Sequence, residues 1–547
     1  MIKFVPLPKR ATRPLSVLVL VAWVGVMAVL VDRSYVHATG NMATDLGRYG
    51  SSAQWRGVYY RGEKIGFTVS QTVPISPGED EGFELQEDGQ LQMALLGAHT
   101  VTTLQTKARV NRAFELQSFE FAMDPGTGPI KIAGVVRDLD LHISIATAGG
   151  TRTEIRRLGE RPVLALNLVR RLADRGLTPG SVHRLNVFDP ATLRNAPATV
   201  SVGDREIVRA ANPPIPAFRV EMEFAGLKTT AWITDTGEIV REESPLGFIS
   251  VREPPERARA LAIDARTSQD LLKTSAVVPT IERRTPPLPP IDDPRNVKRL
   301  RMRVDGVDLS SPDLQGAGQR VDGAMVEIVD AQTVTAGPID PDVAQYLKPE
   351  AFIESDDAEI RSAAEDAVRG AVGARARGEA LTRFVNATLQ KKPTVSLPSA
   401  REVLRTRIGD CNEHTALFVA MSRSIGIPAR IAVGLAYVHG AFYYHAWPEI
   451  YLNENGSRGL WLPVDPTFNQ FPADATHFRL ARGGLDKQAA IIPLIGRVKI
   501  ALVDVEVVAG STAVLVGRSD APGVPIALPS SRRQSRWCLP CFLGGHE

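Results

Sequence analysis

A cysteine at position 411 stands in a local sequence that suits a nucleophile. Gly409 and Asp410 precede it, Glu413 follows, and a helical run with mostly apolar residues occupies 416–425. Asp410 and Glu413 have capping-box spacing, so we expect a helix with Asp410 as its N-cap. Cys411 would then lie in the first turn, where unpaired N–H groups and the positive helix end favour a thiolate. Since the thiolate is the reactive form of cysteine, this pattern predicts a nucleophile.

Two residues further along the chain could complete a catalytic triad. His445 begins one strand pattern at 445–451, and Asp465 ends another at 460–465. On adjacent strands these two side chains can lie side by side, with the N-terminus of the Cys411 helix facing the histidine. Cys411 would attack an acyl carbon. His445 would take the thiol proton and pass it to the leaving amine, while Asp465 would hold the imidazole tautomer.

These motifs resemble the transglutaminase-like superfamily. The resemblance rests on Gly-Asp-Cys at 409–411, Gly-Ile-Pro-Ala-Arg at 426–430, His-Ala-Trp at 445–447 and Val-Asp-Pro-Thr at 464–467. It covers residues 342–480, about a quarter of the chain. It implies a papain-like α+β fold with Cys411, His445 and Asp465 as catalytic residues. The implied chemistry is acyl transfer through a thioester, either to an amine or to water.

The resemblance also implies what else the site contains. The oxyanion hole would include the backbone N–H of Cys411, and Gln390 is the one upstream side chain that we would add. Thioester chemistry needs no metal, and no acidic loop resembles a calcium site. We therefore expect neither a metal nor a cofactor.

Each of these residues also has a structural interpretation. Cys411 could be core packing, His445 a satisfied buried histidine, and Asp465 before Pro466 the start of a turn. The presence of all three motifs in order favours the catalytic interpretation. The Cys-x-x-His spacing of Cys411 and His414 resembles half of a zinc site. No second ligand pair has matching spacing, so we expect His414 at the cleft edge or in solvent.

Helical spacing before Cys411 predicts the elements that support it. An apolar stripe runs through 360–371 behind capping acceptors at 355–357. A second helix is expected around 381–389, and Ser399 with Glu402 has capping-box spacing for a third. Together with the strands at 429–434, 445–451 and 460–465, these elements define a catalytic domain at 342–508.

The preceding part of the chain has a different period. Alternating apolar and polar residues from 55 to 251 predict an antiparallel β domain at 50–255, interrupted by one helix at 163–175 and carrying a hairpin turn at 235–238. It contains no catalytic motif, and the sequence leaves open scaffolding, substrate docking or binding of an envelope protein partner. A proline-rich linker at 256–298 and a short β segment at 299–341 follow.

The amino-terminal segment, 1–38, has the features of a membrane anchor. Residues 15–31 contain no charge and no proline, and four basic residues precede them. Such a length is at the lower limit for a transmembrane helix. The basic flank places that end in the cytoplasm and the catalytic domain on the periplasmic side. The alternative is a signal peptide cleaved after Ala38.

The carboxyl-terminal segment, 509–547, is rich in small residues, proline and arginine, and we expect it to be disordered. It contains Cys538 and Cys541, whose redox-motif spacing lacks a thioredoxin-like context. We therefore expect a local disulfide or no function there, not an oxidoreductase.

The amino-acid composition argues against two classes of protein. The 547 residues include 64 basic and 61 acidic side chains, a net charge of +3, which argues against a nucleic-acid-binding protein. Three cysteines exclude a disulfide-stapled scaffold. Two hypotheses remain: a cysteine enzyme acting on a protein or peptide substrate, and a non-catalytic binding or assembly protein of the cell envelope with the same fold. The complete triad favours the enzyme.

Overall fold

The computed structural model describes residues 53–508, except 76–81, 96–97, 127, 148–149, 192, 210–213, 261–269, 283–286, 394–398, 455 and 484–490. The predicted anchor at 1–38 and the predicted tail at 509–547, with Cys538 and Cys541, lie outside the described residues. Among the helices of the described part, none is both long and apolar enough to cross a bilayer.

A 14-stranded antiparallel sheet forms the first part of the described chain and confirms the predicted β domain. Two meanders, β1–β8 and β9–β14, join through the pairing of β1 with β14. The strands are β1 (Gln54–Tyr60), β2 (Glu63–Pro74), β3 (Gly82–Leu95), β4 (Ala98–Asn111), β5 (Leu116–Asp124), β6 (Ile130–Arg137), β7 (Asp140–Thr147), β8 (Gly150–Arg157), β9 (Val182–Asp189), β10 (Arg194–Val208), β11 (Ile215–Phe224), β12 (Leu227–Ile233), β13 (Ile239–Glu243) and β14 (Phe248–Arg252).

Alternation along the strands gives this sheet one buried face. In β6, for example, Ile130 and Ile132 are buried while Lys131 is exposed. Helix α1 (Ala165–Asp174) connects the two meanders and buries Leu168 and Leu172 against that face. It occupies the interval where the sequence predicts a helix.

Short elements follow the β domain: helices α2 (Pro255–Arg259) and α3 (Leu271–Ser275) and strand β15 (Thr280–Ile281). Strand β15 pairs in parallel with β25, so this part of the interval assigned as a linker belongs to a sheet. That sheet has the order β15-β25-β16-β18-β17. Its later strands are β16 (Val297–Asp305), β17 (Gln319–Asp322), β18 (Met325–Val329) and β25 (Lys499–Val507).

The helices predicted in the catalytic region are all present. They are α4 (Ala358–Ala367), α5 (Gly373–Thr388), α6 (Ala400–Thr406) and α7 (Cys411–Ser424). Asp357 caps α4 and Ser399 caps α6 through side-chain oxygens that accept backbone N–H groups. Between α5 and α7, strands β19 (Gln390–Lys391) and β20 (Ile408–Gly409) form a two-stranded parallel pair.

A four-stranded antiparallel sheet completes the region, in the order β23-β22-β21-β24. Its strands are β21 (Ala429–Val438), β22 (Ala441–Glu454), β23 (Arg458–Pro463) and β24 (His477–Gly483). Helix α7 packs across one face, and residues 413–423 are all buried. The papain-like α+β arrangement of a helix packed on an antiparallel sheet therefore agrees with the prediction.

The large sheet and the catalytic region belong to one compact unit. The side chain of Phe352 is buried in the core of the large sheet. Arg152 of β8 forms an ion pair with Asp356, just before α4 (3.1 Å). The β domain thus contacts the segment that leads into the helices around Cys411.

Candidate active site

The start of α7 has the geometry that its sequence predicts. Asp410 accepts the backbone N–H of Asn412 (2.9 Å), and Glu413 accepts the backbone N–H of Asp410 (2.8 Å), which completes the capping box. A methyl group at Gly409 would lie only 2.2 Å from Cβ of Glu413, so no larger residue fits without displacing the box. Cys411 is the first helical residue and is half-buried.

The sulfur of Cys411 lies at an unpaired stretch of the edge of β22. Strand β23 pairs with β22 only between Glu449 and Glu454, and nearer the start of β22 the backbone of Phe442 bonds to Val277. Ala446 lies between these contacts, and its N–H points to the same edge because it is four residues after Phe442. That N–H donates to the sulfur of Cys411. The sulfur of Cys411 therefore lies beside the residue that follows His445.

The charge state of Cys411 differs from the prediction. Burial, together with the carboxylate of Asp410, raises the pKa of Cys411 well above its usual value, although the Ala446 N–H acts in the opposite direction. The expectation of a resting thiolate is wrong because burial of the sulfur, and then the charge of the capping residue Asp410, both oppose the anion. The resting form is the thiol, which needs a base to become a nucleophile.

His445 and Asp465 are in direct contact. Nε2 of His445 donates to Oδ2 of Asp465 at 2.7 Å, and both side chains are buried. Asp465 lies just past the end of β23, and its other oxygen accepts the backbone N–H of Phe468 (2.9 Å). Burial opposes the charge on Asp465, but its two histidine partners outweigh burial and hold the pKa of that carboxyl far below its usual range.

The second of those partners is His477, which the sequence reasoning left unassigned. Its Nε2 lies 3.0 Å from the same Oδ2 of Asp465, and its Nδ1 lies 3.2 Å from a carboxylate oxygen of Asp474. Burial opposes protonation of this ring, yet the two carboxylates raise the pKa of His477 to about 10. The signal in the sequence was Asp474-x-x-His477, but nothing local indicates that the ring reaches Asp465.

Aromatic rings enclose the two histidines. Phe468 stacks on His445 with ring centroids 4.7 Å apart, and Trp447 meets His477 edge-on at 5.1 Å. Phe468 is half-buried and Trp447 is fully buried. The imidazole of His445 is therefore fixed by a hydrogen bond at one nitrogen and by a ring on one face.

The same cluster is the one group among the described residues with metal-ligand spacing. One ligand atom from each of His445, Asp465 and His477 lies within 4.8 Å of the others. These atoms already share two imidazole protons in hydrogen bonds, which an ion would have to displace. The donor set therefore fits a proton network better than a metal centre.

His414 does not lie where the sequence predicts. It is fully buried, and its Nδ1 lies 2.6 Å from the backbone oxygen of Asp410. Burial lowers the pKa of His414 to about 4, so the ring is neutral. The expectation of a cleft-edge or solvent position is wrong because α7 is enclosed on all sides. The charge-free run His-Thr-Ala-Leu-Phe-Val-Ala-Met at 414–421 was the available signal.

Gln390, the upstream oxyanion candidate, lies in β19 beside the residues that lead into Cys411. Strand β19 pairs with β20, which ends at Gly409. The backbone N–H of Gln390 donates to Arg407 (2.8 Å), and the residue is exposed.

A buried ion cluster supports the sheet on the face that carries His445. Along β22, His445, Trp447 and Glu449 alternate and therefore share that face. Glu449 is fully buried between Arg430 and Arg479, each at 2.7 Å. The two arginines hold the pKa of Glu449 at about 2 in spite of its burial. Arg430 also lies 3.8 Å above the ring of Trp461.

Comparison with known proteins agrees with this architecture. A family model described as Transglutaminase-like superfamily matches residues 361–466. No curated protein sequence matches the chain significantly.

Several solved structures match part of the chain at low identity. A candidate cysteine protease from Cytophaga hutchinsonii is 16% identical, covers 39% of this chain and 86% of its own, and has a TM-score of 0.25. A β-barrel-like protein of unknown function from Brucella abortus is 12% identical, covers 37% of this chain and 96% of its own, and has a TM-score of 0.29. The periplasmic domain of TgpA from Pseudomonas aeruginosa, bound to ethylmercury, is 16% identical. It covers 32% of this chain and 91% of its own, with a TM-score of 0.21.

The family match spans Cys411, His445 and Asp465. It also spans α5, α6 and the sheet strands β21–β23 that position these residues. Residues 361–466 of this chain are a domain of the transglutaminase-like superfamily.

Proposed function

We propose that this protein is a cysteine-dependent acyltransferase or amidase that acts on protein or peptide substrates, with Cys411, His445 and Asp465 as its catalytic residues. One observation carries the proposal. The sulfur of Cys411 accepts the N–H of Ala446, while the adjacent His445 is bonded to Asp465 at 2.7 Å. This proximity supports the roles of nucleophile for Cys411, base for His445 and orienting group for Asp465.

The first half of the reaction forms a thioester. With Nε2 committed to Asp465, His445 uses Nδ1 to take the proton from the Cys411 thiol as the sulfur attacks the substrate carbonyl carbon. The resulting oxyanion is stabilised by the backbone N–H of Cys411, which has no acceptor within the described residues. When the C–N bond breaks, His445 returns the proton to the leaving amine.

The second half returns the enzyme to its starting form. An amine or a water molecule attacks the thioester carbon while His445 removes its proton. The C–S bond then breaks, and the sulfur recovers the proton from His445. With an amine, the product is a new amide. With water, it is a carboxylic acid.

Acylation by p-nitrophenyl acetate tests this proposal without knowledge of the natural substrate. We expect a burst of p-nitrophenolate and an acetyl group on the peptide that contains Cys411, both absent in Cys411→Ala. Turnover that rises with added primary amine indicates transfer, whereas turnover indifferent to amine indicates hydrolysis. Absence of the acetyl group from folded wild-type protein would reject the enzyme.

A non-catalytic binding or assembly protein of the cell envelope is the second candidate. The observation that favours it is the raised pKa of Cys411, because an inert structural cysteine also remains a thiol. Under this alternative, wild type and Cys411→Ala behave alike toward p-nitrophenyl acetate.

We also propose a periplasmic location for the catalytic domain, with the segment 1–38 as a membrane anchor. This rests on the uncharged run at 15–31 and the basic residues that precede it. An envelope protein partner for the β domain is a further part of the proposal. Protease accessibility of the catalytic domain in spheroplasts tests the location.

A further inference from the structure

His477 is a charged histidine behind the proposed triad to which the mechanism above gives no role. It begins β24, two strands away from His445 in the sheet, and its ring centroid lies 5.8 Å from that of His445. Gly434, in the intervening strand β21, allows this approach, since a methyl group there would lie 2.0 Å from the backbone oxygen of Phe478.

The rings of His477 and His445 differ in the number of hydrogen-bond acceptors that they face. Nε2 of His477 faces Oδ2 of Asp465 (3.0 Å), while its Nδ1 faces Oδ1 of Asp474 (3.2 Å) and the Asp474 backbone oxygen (3.2 Å). All of these oxygens are acceptors, so both nitrogens of His477 must carry protons, which only the imidazolium allows. His445 has one such acceptor, Asp465.

Asp465 is consequently a shared anion. Its Oδ2 accepts from both histidines, and its Oδ1 accepts from the backbone of Phe468. The titratable groups that face His477 are the carboxylates of Asp465 and Asp474 and the ring of His445, and the rings of Trp447 and Phe468 pack around it.

We propose that His477 is a positioning residue of the active site, whose permanent positive charge shares the Asp465 carboxylate with His445 and so lowers the basicity of His445. The inference rests on the proposed function. Because part of the charge of Asp465 is neutralised by His477, a second proton on His445 is stabilised less than it would be by an unshared carboxylate.

This role of His477 fits the charge state of the half-buried Cys411 thiol. Burial and Asp410 raise the pKa of Cys411, so an ion pair of thiolate and imidazolium is not the resting state. A histidine that acts as a base must be free of a second proton, and a carboxylate shared with His477 stabilises that second proton less than an unshared one. The proton of Cys411 is transferred only when a substrate is attacked.

Replacing His477 by glutamine tests the inference. Glutamine keeps an N–H donor for Asp465 but carries no charge, so the basicity of His445 should rise. The readout is the pH dependence of Cys411 acylation by p-nitrophenyl acetate in the full chain. We expect the acidic limb of the profile in His477→Gln to move to higher pH by about one to two units, a roughly ten- to hundredfold change in proton affinity.

Two further variants complete the experiment. Asp474→Asn keeps the ring of His477 but removes one of its two carboxylate partners, so the limb should move in the same direction by a smaller amount. His439→Gln replaces an exposed histidine in the turn between β21 and β22 and should leave the profile at its wild-type position. If His477→Gln does not fold, Asp474→Asn decides the question.

The decisive case is a folded variant that is still acylated. If its acidic limb stays in place or moves to lower pH, the inference is overturned and the proposed function is left intact. In that case His477 only stabilises the fold, and its replacement lowers the thermal midpoint alone. Absence of acylation in the wild type would instead reject the proposed function itself.

Discussion

The backbone N–H of Ala446 donates to the sulfur of Cys411, and this bond joins the start of α7 to the strand that carries His445. A main-chain donor keeps its proton at every pH at which the protein is folded. The donor is therefore available to the sulfur both as a thiol and as a thiolate. Because His445 is the neighbour of Ala446, the same bond sets the position of the sulfur relative to the imidazole.

Removal of the Cys411 thiol should abolish acylation and preserve the fold. Cys411 is half-buried in the first turn of α7, so Cys411→Ala removes little packing. We expect complete loss of acylation and a decrease in the free energy of unfolding of about 1 kcal/mol or less, as measured by urea denaturation. A loss of several kcal/mol would identify Cys411 as a structural residue.

The charge of the helix cap should control the ionisation of the sulfur. Asparagine caps helices as well as aspartate does, so Asp410→Asn should retain stability while it removes an anion beside Cys411. The pKa of the thiol should fall, and the pH profile of its alkylation should move to lower pH. Asp410→Ala is the matched variant, expected to lose the charge and also about 1 kcal/mol of stability. An unchanged alkylation profile in both would show that Asp410 does not act on the sulfur.

The buried Glu449 should make the fold sensitive to acid. Its pKa of about 2 lies below the value of about 4.5 in an unfolded chain. The stability that its ionised form contributes is therefore present above about pH 4.5 and is lost as pH falls through about 2. Glu449→Gln should destabilise the protein at neutral pH, by roughly 3–5 kcal/mol for a broken buried ion pair. It should also flatten the acid limb of stability against pH.

The exposed Glu365, on α4, provides the control for that measurement. Glu365→Gln should match the wild type in thermal unfolding from pH 2 to 7. If Glu449→Gln showed the same unfolding curve as this control, the buried cluster would contribute nothing to the stability of the sheet.

The ring of Phe468 should matter for the orientation of the base. It stacks on His445 at 4.7 Å with an interplanar angle of 13°, whereas its backbone holds Asp465. Phe468→Ala keeps the backbone bond and frees one face of the imidazole, so acylation should slow by roughly tenfold. Phe468→Leu, which retains apolar cover, should lose less. Equal rates in the wild type and both variants would show that stacking does not orient the imidazole.

Local patterns were sufficient to predict α7 and its cap, because Gly409, Asp410 and Glu413 act within a single turn. The contact between His445 and Asp465 was also predicted, since it requires only that two successive strands pair. The approach of His477 could not be predicted this way, because it depends on β24 pairing with the far side of β21.

The two wrong predictions, a thiolate at Cys411 and an accessible position for His414, have a common physical origin. Helix position alone favours a thiolate at Cys411, but burial and the carboxylate of Asp410 raise the pKa of the thiol. His414 was placed by assuming that α7 has a solvent face. Helices α4, α5 and α6 and the sheet enclose it instead. The ionisation of Cys411 and the exposure of His414 both depend on what surrounds the residue in three dimensions, which spacing along the chain does not specify.

The alkylation rate of Cys411 with and without its base tests the central claim most directly. Iodoacetamide labelling at pH 7, followed by mass spectrometry of the Cys411 peptide, separates this thiol from Cys538 and Cys541. If His445 takes the thiol proton, folded His445→Ala should be alkylated at least about tenfold more slowly than the wild type. Equal rates in the two folded proteins would contradict the account, because the sulfur would then react without help from the imidazole.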